Sequence, residues 1–179
     1  SDLDEVLQFL PQLDKDIVGN YYKIIGGDNP TTMFTCHLDT ACSKQVKVNH
    51  VQTQNIIKTD GSSILGADDK AGMVVILNMI ENKVPGLYYF FIGEEVGCVG
   101  SSKLAQNWVN SEFSYTVSKV VSFDRRSTCS VITHQWYGRC CSDEFANALC
   151  DEYNKYGFTG AIKKPFTIEI LSSILSKHL

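Results

Sequence analysis

Three common functional patterns are missing from this sequence of 179 residues. Apolar stretches such as Met73–Leu77 stop far short of the roughly 20 residues that a membrane-spanning helix needs. The 16 basic and 20 acidic residues include no basic stripe of the kind that binds nucleic acid. Neither a phosphate-loop lysine motif nor a GxGxxG turn is present. We therefore expect no membrane span, no nucleic-acid partner and no nucleotide site.

The seven cysteines lack CxxC spacing, which argues against a cysteine-only zinc site. Their odd number favours reduced thiols, and Ser1–Asp4 lacks the basic segment of a secretory signal, so we expect a cytoplasmic location. We interpret the cysteines as small packing residues. Cys140 and Cys141 are adjacent, and in an extended segment their side chains would point to opposite sides.

Strand-like and helix-like segments alternate along the chain. Leu87–Ile92 is apolar throughout, which predicts a central strand buried on both faces, and Lys119–Phe123 predicts another buried strand. Ser130–Thr133 predicts a further strand. The apolar residues that follow Asp68 recur at helical spacing, which predicts a helix closed by Gly86.

The last part of the chain reads as helical. Ser142 is placed to cap a helix that stops at Gly157, and Phe166–Lys177 predicts a final helix. No linker or internal repeat divides the sequence. We therefore expect one domain over residues 1–179, an α/β fold with three layers (αβα) and a mixed, largely parallel central sheet.

Acidic residues and one histidine follow the predicted strands, each just past an apolar run. These residues are His37, Asp39, Asp68, Asp69, Glu94, Glu95 and Asp124. Ligands bind in the crevice outside the carboxyl ends of the strands in an open α/β sheet, so such residues converge there. One imidazole with several carboxylates suits zinc, cobalt or manganese.

Each of these residues also has a simpler explanation. Asp68 and Asp69 alone would suit the start of a helix, where the helix dipole favours acids. Glu94 and Glu95 alone would fit a solvated turn, and Asp124 would fit a surface ion pair with the arginines that follow it. His134 is a further possibility as an oxyanion stabiliser, although a packing or surface role suits it better.

Three motifs in this order resemble those of the co-catalytic dizinc exopeptidases. The motifs are Thr35–Thr40, Thr59–Gly72 and Gly93–Gly97, followed by Asp124 at the end of the next strand. The superfamily includes peptidase T-like tripeptidases, zinc aminopeptidases and aminoacylase-type enzymes, and the second motif is closest to the tripeptidase branch. The resemblance implies a zinc-exopeptidase fold of the phosphorylase/hydrolase-like type.

The resemblance also implies a role for each matching residue. His37 and Asp124 would be ligands of the first metal, Asp68 would bridge both metals, and Glu95 would bind the second. Two Zn²⁺ ions are implied, with Co²⁺ or Mn²⁺ as other suitable ions. The bond between Asp68 and Asp69 would be a cis peptide.

Two further residues complete the implied centre. Glu94 would be the general base, which takes a proton from water. Asp39 would accept the second imidazole N–H of His37 and so fix its tautomer. The implied substrates are short peptides, and an N-acyl amino acid deacylase would use the same centre.

The sequence departs from the family pattern after Asp124. It leaves no room for an inserted lid or dimerisation domain, and no late histidine is found where the family has a ligand of the second metal. The segment near 157–166 lacks part of the family core, so either a stretch is omitted there or the second metal site is incomplete. A non-catalytic homologue with an incomplete metal site is the alternative from another class.

Overall fold

The computed structural model describes residues 10, 12–42, 47–54, 56–108, 115–126, 131–135 and 138–155. The strands are β1 (Asp14–Lys15), β2 (Tyr21–Ile25), β3 (Thr32–His37), β4 (His50–Thr53), β5 (Ile56–Thr59), β6 (Gly86–Phe91), β7 (Lys119–Ser122), β8 (His134–Gln135) and β9 (Gly138–Arg139). The helices are α1 (Ala67–Glu81), α2 (Val99–Asn107) and α3 (Asp143–Lys155). The expected segment near 157–166, Gly157 and the final helix Phe166–Lys177 lie outside the described residues.

Five strands form the main sheet in the order β1-β2-β6-β3-β7. β6 and β7 run parallel to β3, whereas β1 and β2 pair antiparallel at the other side. The expected α/β fold with a mixed sheet is confirmed, and its parallel part is the half that carries β3, β6 and β7. β4 with β5 and β8 with β9 form two separate hairpins.

Strand β6 is the centre of the core, as its apolar sequence predicts. Alternate side chains of a strand point to opposite faces, and here Tyr88 and Phe90 cluster with Ile76 of α1. On the other face, Tyr89 clusters with Leu104 of α2. Helices therefore cover both faces and make three layers. Burial of each large apolar side chain stabilises the fold by about 1.5–3 kcal/mol.

Gly86 does not close α1, so that part of the helix prediction is wrong. The helix ends at Glu81, where the side-chain amide of Asn82 donates to the carbonyl oxygen of Asn78 at 2.8 Å. Gly86 instead begins β6. A glycine fits this position because a Cβ atom there would lie 2.8 Å from the Phe34 ring. The glycine therefore serves close strand packing rather than a helix terminus.

The predictions for the later strands are corrected in two places. β7 is mostly exposed, with Val120 58% accessible, because β7 is the last strand of the sheet in the described part of the chain. Residues 131–133, the described part of the expected strand Ser130–Thr133, are not in a strand, and pairing starts at His134. An apolar run alone does not show whether a strand is central or at an edge.

Helix α3 begins as the sequence predicts. The hydroxyl oxygen of Ser142 accepts the backbone N–H of Phe145 at 3.1 Å, which satisfies a donor of the first helical turn. None of the helices in the described ranges combines the length and apolar character that a bilayer crossing requires.

Candidate metal centre

The carboxyl ends of three parallel strands meet at one edge of the sheet. His37 ends β3, the pair Glu94 and Glu95 follows β6, and Asp124 follows β7. β6 and β7 lie on opposite sides of β3, so the strand order reverses at β3. Such a reversal opens a crevice outside the strand ends, which is where open α/β sheets bind ligands.

The imidazole of His37 is at the centre of this crevice. Its Nδ1 lies 2.9 Å from the backbone oxygen of Asp39, which identifies Nδ1 as the protonated nitrogen. Its Nε2 faces three carboxylates, at 3.2 Å from Asp68 Oδ1, 3.9 Å from Glu94 Oε2 and 4.0 Å from Asp124 Oδ2. His37 is 2% exposed. A fixed tautomer thus points Nε2 at a group of oxygens.

The carboxylates around His37 repel one another. Burial raises the pKa of Asp124, and the nearby charges of Asp68 and Glu94 raise it further, although His37 opposes the shift. Burial alone would lower the pKa of His37, but the surrounding charges, with Asp69 and Asp124 the largest, raise it overall. Several acids therefore share one imidazole, and the crevice has a deficit of positive charge that a cation would relieve.

Asp68 and Asp69 have different surroundings although they are adjacent. Asp68 presents its carboxylate to His37 and is largely exposed, whereas Asp69 is 4% exposed. The two oxygens of Asp69 accept the backbone N–H groups of His37 at 3.2 Å and Gly72 at 3.1 Å. Burial raises the pKa of Asp69 to about 7. The bond between the two residues is cis, which confirms the implied cis peptide.

The loop that carries Glu94 and Glu95 is held by Asp39. The two carboxylate oxygens of Asp39 accept the backbone N–H groups of Glu94 and Glu95, each at 3.0 Å. The expected bond from the His37 imidazole goes to the backbone oxygen of Asp39 instead, and the nearer carboxylate oxygen is 3.5 Å from Nδ1. Asp39 therefore joins the histidine to the glutamates through both its backbone and its side chain.

Asn20 also holds this loop, a role that sequence reasoning missed. Its side chain is fully buried, accepts the backbone N–H of Ile92 at 3.3 Å and donates to the Gly100 carbonyl at 3.2 Å. Asp16 fixes Asn20 by accepting its side-chain N–H at 2.9 Å. A Cβ atom on Gly100 would collide with the Asn20 oxygen. A polar residue between an aspartate and a strand was the only available signal.

The cysteines are not all packing residues, which corrects that interpretation. Cys36 is buried, but Cys42 and Cys140 are exposed. Cys98 lies at the start of α2, and its thiol is 3.5 Å from the Glu94 carboxylate. Cys98 is thus a neighbour of the crevice that sequence reasoning missed, with its position four residues after Glu94 as the available signal.

His134, which was considered from the sequence as an oxyanion stabiliser, and Arg139 lie apart from these contacts. His134 is exposed in β8, with its Nδ1 3.0 Å from the Thr133 hydroxyl. Arg139 pairs with Asp143 at 2.7 Å. In the described part of the chain, no histidine other than His37 belongs to a group that could hold a metal.

Two overlapping groups of side chains could hold a cation. His37, Asp69 and Asp124 each offer an atom within 4.8 Å of the others, and so do His37, Glu94 and Glu95. Both oxygens of Asp69 already accept backbone N–H groups, so Asp68, which faces Nε2, is the better ligand. One imidazole and several carboxylates fit zinc, cobalt or manganese.

Comparison with other proteins gives this centre a context. The chain is 36% identical over 94 residues to the uncharacterised protein YqjE of Bacillus subtilis (strain 168), covering 49% of this chain and 25% of that protein. It is 37% identical over 78 residues to Peptidase T of Streptococcus equi subsp. equi (strain 4047), covering 39% of this chain and 19% of that protein. Over this part of its length, the chain is similar to Peptidase T.

Solved structures of a PepT aminopeptidase and a tripeptidase share the fold of this chain. Aminopeptidase PepT from Bacillus cereus ATCC 10987 matches with a TM-score of 0.51 and 26% identity, over 68% of this chain and 36% of that chain. A tripeptidase from Staphylococcus aureus subsp. aureus Mu50 matches in fold with a TM-score of 0.50 and 23% identity, over 73% of this chain and 38% of that chain. No model of a known protein family matches the sequence. Each of the matched relatives and structures is covered over only a minor part of its length.

Proposed function

We propose that this chain carries the catalytic centre of a metallopeptidase of the exopeptidase type, which hydrolyses amide bonds of short peptides. One observation carries the proposal: Nε2 of His37 lies within 4.0 Å of carboxylate oxygens from three separate segments of the chain. The relationship to Peptidase T supports the peptide substrate. We also propose a single catalytic domain over residues 1–179 and a cytoplasmic location, where cysteines stay reduced.

The donor set defines how the chain would hold the metal. His37, Asp68 and Asp124 face one another, and Glu95 lies on the side of Glu94, so these four residues are the proposed ligands. Zinc is the expected metal, with two ions expected from the family resemblance and cobalt or manganese as substitutes. A bound divalent cation supplies charge that acidifies water and polarises a substrate carbonyl.

The protein's own residues supply the proton transfer. Glu94 is half-buried beside His37, and we assign to it the role of general base, which takes a proton from the attacking water and later gives it to the leaving amine. Asp39 acts as a positioning residue, because its carboxylate holds the backbone of Glu94 and Glu95. Together they fix where the proton acceptor lies relative to His37.

A non-catalytic binding role is the second possibility. It is favoured by the fact that His37 is the one histidine that joins either metal-capable group in the described residues. It is opposed by the placement of Glu94, since a binding module does not need a carboxylate held beside the ligands by Asp39.

A substrate panel distinguishes these functions. The zinc-loaded chain is incubated with short peptides that have a free amino terminus and, separately, with N-acyl amino acids. We expect hydrolysis of the free peptides. Hydrolysis of the N-acyl amino acids alone would replace the proposal with a deacylase. Zinc binding without hydrolysis of either class would contradict catalysis and favour the binding role.

A further inference from the structure

Cys140 and Cys141 direct their thiols to the same place, against the sequence expectation that adjacent side chains diverge. The Cys140 thiol donates to the Ile132 backbone oxygen at 3.3 Å, and the Cys141 sulfur is 3.7 Å from the same oxygen. The expectation fails because the two residues are not in a strand: β9 ends at Arg139 and α3 begins at Asp143. The turn between these elements places both sulfurs on one side of the chain.

The backbone around this turn is held on both sides. The N–H groups of Cys140 and Cys141 donate to the Thr133 oxygen at 2.8 Å and 3.5 Å. β8 and β9 pair next to them, with His134 opposite Arg139. On the other side, Ser142 caps α3. The two thiols are therefore arranged by the fold before any ligand arrives, which reduces the cost of ordering them.

The two thiols are also accessible and close to each other. Cys140 is exposed and Cys141 is partly exposed. Burial raises the pKa of the Cys141 thiol most, and the charge of Cys140 and a hydrogen bond with it raise the pKa further. Two thiolates side by side repel each other, so a cation that binds both sulfurs would favour the loss of both protons.

The surroundings of the two sulfurs indicate the class of ligand. Structural zinc takes four protein ligands. Among the described residues, two groups of three or more ligating side chains are found, and both include His37 rather than the two sulfurs. Thiolate sulfur selects soft ions, with Cu(I) foremost among those that need few ligands. The described surroundings of the pair therefore suit a soft ion that two sulfurs satisfy better than they suit zinc.

We propose that Cys140 and Cys141 form a two-sulfur site for a soft monovalent cation such as Cu(I), separate from the His37 centre. Two S–Cu bonds form as the two S–H bonds break and their protons leave to solvent. One positive ion is gained and two protons are lost, so the net charge of the site falls by one. The reaction involves no oxidation, and the protein's disulfide state does not change. The site does not depend on the peptidase activity proposed for His37 and its neighbours.

Competitive titration tests this site. The zinc-loaded chain of 179 residues is titrated without oxygen with Cu(I) against a chromophoric Cu(I) chelator. We expect the wild type to retain one equivalent of Cu(I) in competition with the chelator, and Cys140→Ser and Cys141→Ser each to lose it. Cys42→Ser and Cys150→Ser are the matched controls, because they remove an exposed and a partly exposed thiol elsewhere, and both should retain the ion.

Two results would overturn the site. The first is a wild type that retains no Cu(I), and the second is retention of the ion by both Cys140→Ser and Cys141→Ser. Circular dichroism of each variant shows whether it is folded, and zinc content measured in the same samples shows whether the His37 centre is intact. A failed Cu(I) site with normal zinc content would leave the proposed peptidase standing, so the two proposals fail separately.

Discussion

Two groups of acidic residues in this protein have opposite electrostatics. Around His37, burial and neighbouring acids raise the pKa values of Asp69 and Asp124. At the start of α3, a hydrogen bond from Arg139 lowers the pKa of Asp143, and backbone and Ser142 hydrogen bonds lower that of Glu144. Acids at the helix start have their partners within the protein. The acids around His37 have too little positive charge nearby to balance them, so a bound cation would stabilise that region.

The largest expected effect is on catalysis, which should depend on the acids around His37 and not on those at the start of α3. Glu94→Gln keeps the size of the side chain but removes the proton acceptor, so turnover of a peptide substrate should fall by about 10²–10⁴-fold. Zinc content, measured in the same preparation, should stay unchanged. Glu144→Gln is the matched control at the start of α3 and should keep wild-type turnover. Full activity in Glu94→Gln would place the base elsewhere.

The next largest effect is on metal binding, which should likewise depend on the acids around His37 and not on those at the start of α3. Asp68→Asn removes a charge that faces His37 at 3.2 Å, and its exposed side chain can change without repacking the core. Saturating zinc at 100 times the dissociation constant should stabilise the wild type by about 2.7 kcal/mol. The variant should gain much less in thermal denaturation with and without zinc. Asp143→Asn should gain as much as the wild type; equal gains in all three proteins would refute the assignment of Asp68.

A smaller effect concerns the loop that carries Glu94. Asn20→Ala leaves the Ile92 N–H without its side-chain acceptor and removes the amide that donates to the Gly100 oxygen, so the free energy of unfolding should fall by about 1–3 kcal/mol. Urea denaturation measures the change. Asn29→Ala, at an exposed position, is the control and should be nearly neutral. An equal, small loss in both variants would show that the Asn20 contacts do not hold the loop.

The smallest effect concerns the helix-start pair and acid pH. The pKa of Asp143 is lowered in the folded protein by Arg139. The Arg139–Asp143 pair therefore stabilises the fold fully above pH 3.8, the ordinary pKa of an aspartate, and this contribution is lost as pH falls through the lowered pKa. Arg139→Gln should therefore unfold more easily than wild type at neutral pH and show less difference under strong acid. Urea midpoints at both pH values test this. The effect is small because both side chains are exposed.

The sequence was sufficient where local chemistry decides the structure. The apolar run at Leu87–Ile92 identified the central strand, and Ser142 identified the start of α3. It was insufficient where tertiary neighbours decide. Lys119–Phe123 looks like a buried strand but lies at the edge of the described sheet, and Gly86 serves packing against Phe34.

The candidate site shows the same division. The order of the motifs identified His37, Asp68, Glu94 and Asp124, which the structure brings together. The choice of Asp68 over Asp69 came from the family resemblance and not from the spacing, because which acid faces the imidazole depends on the backbone N–H groups of His37 and Gly72. The link from Asn20 to Ile92 spans more than seventy residues, and a sequence pattern contains no information on such a contact.

Zinc content after dialysis tests the central claim most directly. The chain is loaded with zinc, dialysed, and analysed for metal per chain, beside the double variant Asp68→Asn, Asp124→Asn. The account predicts about two zinc ions per wild-type chain, as in two-metal hydrolases, and a clear loss in the folded double variant. A wild type that retains no zinc, or a double variant that retains as much as the wild type, would contradict it.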